Sequence, residues 1–168
     1  MTTPTEDFIF RLTQLRAGEI GMLRAHAHRS LDASVDGFDL FTGLWWPLRD
    51  KRQDAPRRTV AWLVAKLYAS CPVRHSPGDE LAAQLRRCSP QALRNDERFG
   101  ARFDGLVRLP IERIESDLGW ALRAISNQGL GVDWVQLTND LSGWDRERVR
   151  RRWASQFLGF KGRSKKCS

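Results

Sequence analysis

Five arginines fall within seven positions near the C-terminal end of the chain, at 146, 148, 150, 151 and 152. A guanidinium is planar and permanently charged. It grips a phosphate with two parallel N–H bonds and stacks on bases, which a lysine ammonium cannot do. Over the whole chain arginine outnumbers lysine 23 to 5. The surplus charge is local: residues 145–168 hold nine Lys/Arg against two Asp/Glu (net +7), whereas residues 1–144 hold 19 against 18 (net +1). This asymmetry suits an acidic polymer or an anionic surface. A high-GC genome also enriches arginine, which accounts better for the total than for the clustering.

Catalytic chemistry has no comparable signature. There is no Gly-x-Ser-x-Gly elbow and no Gly-Lys-Ser/Thr phosphate loop. His26 and His28 are two apart and point to different helix faces, so they do not pair on a metal, and His75 lies in a loop beside Arg74. Glu112, Glu115 and Asp117 read as a solvated helix face, and Gly129-Leu130-Gly131 as a helix stop. Cys71, Cys88 and Cys167 are far apart and form no Cys-x-x-Cys pair, against both a disulfide framework and a structural zinc. No catalytic residue, metal, cofactor or small-molecule substrate is expected. No apolar run approaches the ~20 residues of a membrane span. The N-terminal MTTPTEDF has no basic n-region or apolar h-region, so a soluble cytoplasmic protein is expected.

The elements that must carry the arginines read as helices throughout. Trp134, Leu137, Leu141 and Trp144 recur at helical spacing, and Val149, Trp153 and Phe157 repeat every four residues. Two consecutive amphipathic helices follow, with Asp133 and Asp145 as their expected N-caps. Thr3-Pro4-Thr5-Glu6 is a capping box opening a first helix through Phe8, Leu12 and Leu15, which Gly18 should end. A second short helix is expected over 19–29, a loop over 30–37 and a charged linker over 49–58. Helices are then expected over 57–70, over 79–88 and around Phe99, Phe103 and Leu106. Ile111, Ile114, Leu118, Leu122 and Ile125 predict one continuous helix.

The fold class is therefore all-α, a bundle of about eight or nine helices. It spans residues 1–159 as a single domain, or as lobes 1–88 and 89–159, with a disordered basic tail over 160–168. Trp62, Trp120, Trp134 and Trp153 share faces with Leu, Ile and Val and are expected in the core. Trp45 and Trp46 are adjacent, so at most one points fully inward and the other is a candidate protein-contact surface.

An ordered set of short stretches carries a resemblance. These are Leu-x-Ala-Gly at 15–18 followed by Leu23-Arg24, Leu-x-x-Pro-Leu at 44–48, VAWLVAKLYASCPVRH, RFGARFDGLVR, LGWALRAI, VDWVQLTNDLSGW and VRRRWASQF. Over residues 8–158 the chain resembles the CasB family, the small subunit of the type I-E CRISPR surveillance complex, Cascade. It departs from the family at Arg24-Ala25, where relatives often have two basic residues. It departs again at GDELAAQL (78–85), where many carry Gly-x-Ser-Leu-Gly.

The resemblance implies an all-α, non-catalytic subunit that pairs with a second copy of itself. Its partners would be the backbone and large subunits of a crRNA-containing complex. Its basic surface would hold DNA and RNA and stabilise the target and displaced strands of the R-loop in antiviral defence. By position it implies nucleic-acid contacts at Arg24, Arg74, Arg102, Arg108, Arg123, Arg146 and Arg148. Arg57, Arg58, Arg86 and Arg87 are weaker candidates, and Arg146, Arg150 and Arg152 are alternatively expected to face another subunit.

Two other readings fit parts of the sequence. A helical adaptor would dock a partner through Trp45 and Trp46 without touching nucleic acid. A helix-turn-helix regulator would use 133–158, but its second helix offers few Asn, Gln or Ser positions for reading bases.

Overall fold

In the computed structural model, the structure describes residues 2–31, 41–45, 56–88 and 97–159. Trp46, Cys167, the basic tail, and most of the expected 30–37 loop and 49–58 linker lie outside the described residues. Within them the fold is helical, with a single isolated parallel bridge between His75 and Val132. We label the helices α1 (Pro4–Thr13), α2 (Ala17–Ala25), α3 (Arg58–Ser70), α4 (Leu81–Cys88), α5 (Glu97–Arg108), α6 (Glu115–Asn127), α7 (Trp134–Ser142) and α8 (Glu147–Leu158). Residues 41–45 add a helical turn.

Helix α1 starts as its sequence dictates. The Thr3 hydroxyl accepts from Glu6 N–H at 3.2 Å, and the Glu6 carboxylate accepts from Thr3 N–H at 2.6 Å. The expected stop at Gly18 is not where the helix ends. Helix α1 closes at Thr13, and Glu19 accepts from Arg16 N–H at 2.7 Å to begin α2, so Gly18 sits in the first turn of α2.

The continuous helix expected over 111–125 is also divided: Ile111–Arg113 is a 3-10 turn and Ile114 precedes α6. Both elements turn their apolar residues inward, so periodicity alone does not see the break. Asp133 caps α7 by accepting from Gln136 N–H at 3.0 Å. Asp145 does not cap α8; the capping position is Arg146, whose side chain makes no capping bond. Gly159 ends α8 in the left-handed conformation (φ 77°), where a glycine carries no Cβ penalty.

The buried apolar residues form one cluster that runs from Phe8 to Trp153. Helix α3 is central: it packs on α2, α6 and α7, while α4 packs on α6 and α8, α5 on α6 and α8, and α1 on α7. Trp62, Trp134, Trp144 and Trp153 are in the core, Trp134 fully. Trp120 is only partly buried.

Two polar features tie the layers together. Lys66 on α3 is buried and donates to Glu115 Oε2 at 2.7 Å and to the Arg29 carbonyl at 2.8 Å. Glu115 also accepts from His28 N–H at 2.8 Å, so it is an inter-helix tie rather than part of the solvated face expected of it. The loop after α3 is pinned to the start of α7 by Val132 N–H donating to the Arg74 carbonyl at 3.1 Å and Ser76 N–H to the Val132 carbonyl at 3.0 Å. The approach needs glycine at 131, since a Cβ there would stand 2.7 Å from Ser76 Cβ.

Candidate nucleic-acid interface

The expected contact arginines are all exposed, and they fall into local groups. Arg24 and Arg123 flank the C-terminal end of α3. Arg24 Nε donates to the Ala69 carbonyl at 3.1 Å, a favourable place for a cation because the last carbonyls of a helix carry partial negative charge. Arg123 lines a small cavity of about 50 Å³ with Ser70, Cys71, His28 and Gly119. Burial pushes the Cys71 thiol above its ordinary pKa, and the charge and hydrogen bond of Arg123 oppose that rise. Arg74 leaves the adjoining loop, its backbone fixed by Val132.

A second group surrounds Trp144. Its indole N–H donates to the Leu109 carbonyl at 2.8 Å, which brings the end of α5, and hence Arg108, to the start of α8. Arg57 approaches the same corner, donating to the Ser142 carbonyl at 2.8 Å and standing 3.7 Å from Asp145. Arg146 stands at the capping position of α8 and Arg148 in its first turn. Among the described residues the side chains of Arg108, Arg146 and Arg148 have no hydrogen-bond or ion-pair partner. Arg102 differs: its guanidinium carbon lies 4.6 Å from the centre of the Trp120 ring, and Asp117 pairs with its Nε at 3.4 Å.

The remaining arginines of α8 serve the fold. Arg150 Nε donates to the Trp144 carbonyl at 3.0 Å, and its guanidinium lies 5.6 Å from the Trp144 ring centre. Arg152 is bonded to Asp140 and stands 3.4 Å from Glu80. The bond to Asp140 raises the Arg152 pKa above its ordinary value. Asp140 is 5% exposed and also accepts from Trp153 Nε1 at 2.7 Å and Gln136 Nε2 at 2.8 Å. Arg151 pairs with Glu147 one turn away at 2.7 Å. Sequence reasoning missed the Asp140 centre, because Arg152 and Trp153 lie 12 and 13 positions away on the next helix and no spacing announces them. Trp45 is buried, 9% exposed, with its indole N–H donating to the Pro56 carbonyl at 2.7 Å, so it does not offer the contact surface expected of the pair.

Among the described residues no group of three or more His, Cys, Asp or Glu could hold a metal ion. His75 Nδ1 accepts from Trp134 N–H at 3.2 Å, which gives this loop histidine a structural place. No described helix is long and apolar enough to cross a membrane.

The family model for CRISPR-associated protein Cse2 matches residues 11–158. The chain belongs to the Cse2 family. The Cse2 fold here is similar to the crystal structure of CasB from M. ruber, with a TM-score of 0.74 at 22% identity, covering 95% of this chain and 94% of that one. CasB from Thermus thermophilus gives 0.65 at 26% identity, covering 94% and 99%. CasB from Thermobifida fusca gives 0.65 at 20% identity, covering 88% of each chain. No curated protein matches the chain. The Cse2 match spans both arginine groups, since Arg24 and Arg148 both lie within it.

Proposed function

We propose that this Cse2-family chain is a non-catalytic subunit of a crRNA-guided Cascade effector, holding DNA and RNA by their phosphates and stabilising the target and displaced strands of the R-loop. The observation that carries this reading is the placement of Arg146 and Arg148. They sit exposed at the N-terminal end of α8, without a partner among the described residues. The helix dipole makes that end positive, so each cation there costs a few tenths of a kcal/mol or more. Stability does not favour them; an incoming phosphate does.

In such an assembly the guide RNA reads sequence by base pairing, so the protein need only recognise backbone and shape. R-loop formation exchanges one set of pairs for another of similar strength. A few charge-assisted contacts, about 1 kcal/mol each, therefore tip it. The partners under this reading are the backbone and large subunits, a second copy of the chain and the crRNA, in the cytoplasm.

Filter binding of the purified protein to a labelled single strand at two salt concentrations tests the proposal. Phosphate contacts by Arg108, Arg146 and Arg148 predict a log–log slope of about −2 on a single strand. Affinity that does not change with salt overturns it.

A further inference from the structure

Arg102 and Trp120 form a surface that phosphate holding alone does not require. They lie on the adjacent helices α5 and α6, with the guanidinium carbon 4.6 Å from the indole ring centre. The indole is backed by other rings. Phe99 meets it edge-on at 5.1 Å, Phe99 stacks on Phe157 at 6.0 Å, and Phe157 stacks on Phe103 at 4.0 Å. Aromatic rings from α5 and α8 thus fix Trp120 in place.

Asp117 holds the guanidinium from one edge, accepting from Nε at 3.4 Å. The Arg102 side chain is nevertheless 46% exposed, and its Nη atoms have no hydrogen-bond partner among the described residues. A long, half-exposed pair of this kind contributes little to stability. What it does is orient a cationic plane.

Guanidinium planes and aromatic rings are the surfaces on which bases of unpaired strands stack. We propose that Arg102, backed by Trp120, stacks an unpaired nucleobase of a bound strand. The inference rests on the nucleic-acid reading above and deepens it: the ligand is a strand with bases free, and duplex backbone alone does not satisfy the site. DNA and RNA share this chemistry.

The test compares wild-type protein with Arg102→Lys, which keeps the charge and loses the plane. Fluorescence anisotropy is read on labelled oligothymidine, on oligouridine, and on a strand of equal length made of abasic sites. Stacking predicts that Arg102→Lys weakens binding about tenfold on a base-bearing strand and leaves the abasic strand nearly unchanged. A loss on one of the two base-bearing strands alone identifies which nucleic acid is stacked. Equal losses on all three strands reduce Arg102 to a phosphate contact and overturn the inference, as does no loss on any. If wild-type protein binds none of the strands, the nucleic-acid reading itself fails, a result distinct from either outcome. Circular dichroism of Arg102→Lys confirms that the fold is intact.

Discussion

Asp140 is a buried acid, and its three donors come from α7 itself and from α8. Removing it orphans the buried Trp153 indole N–H, which costs about 1–3 kcal/mol. Asp140→Ala is therefore expected to lower unfolding stability by about 2 kcal/mol in urea titrations, and Asp140→Asn by less, because an amide oxygen still accepts from the indole. Arg152 adds little to that loss, since its side chain is 41% exposed and water can replace the lost partner.

The thiols give a pH prediction at the same scale. Burial raises Cys71 and Cys88 above their ordinary values. The unfolded chain then ionises first, so their contribution is complete below the ordinary thiol pKa of about 8.5 and is lost as pH rises toward the folded values. Thermal denaturation should show a decline above about pH 8.5 that is smaller in a Cys71→Ala, Cys88→Ala variant. An identical decline in both proteins would remove the thiols from the account.

Helix α8 divides its arginines by direction. Val149 and Trp153 face the core, which turns Arg152 toward Asp140 and Glu80 and lets Arg150 fold back on Trp144. Arg146 and Arg148 are left in solvent at the positive end of the helix. Reversing both to Glu should leave the urea midpoint unchanged or higher, while weakening strand binding and flattening its salt slope by about 1–2. Arg150→Ala should do the opposite: a stability loss of about 1 kcal/mol from the broken bond to the Trp144 carbonyl, with the salt slope preserved. A double reversal that unfolds the protein would show that the first turn of α8 serves structure instead.

For the whole molecule, α3 lies against helices from both halves of the chain and the apolar cluster is continuous. We propose that the described helices unfold as one unit and not as two lobes. Tryptophan fluorescence and far-ultraviolet circular dichroism should then trace coincident urea transitions. Two separated transitions would restore the division near residue 88.

At this scale the limits of sequence reading are visible in particular residues. The helical spacing of Trp134, Leu137 and Leu141 places them inside, and so it proves. Glu115 carries no sign of Lys66, 49 residues away. The break at Ile114 is equally silent, because the three-residue spacing of Ile111 and Ile114 fits a 3-10 turn as well as an α-helix.

The sequence by itself determined that the chain is helical, which faces are apolar, where the charge accumulates and to which family the chain belongs. These are properties of neighbours along the chain: a helix face repeats every three or four residues, and a capping side chain meets its own backbone. The tertiary structure alone decided which arginines remain available. An arginine is neutralised by whatever acid the fold brings to it, and Arg152 finds Asp140 12 positions back while Arg102 meets Asp117 15 positions ahead. Arg146 and Arg148 read no differently from Arg150 and Arg152 in the sequence, and only the fold, which brings Trp144 to Arg150 and Asp140 and Glu80 to Arg152, separates them.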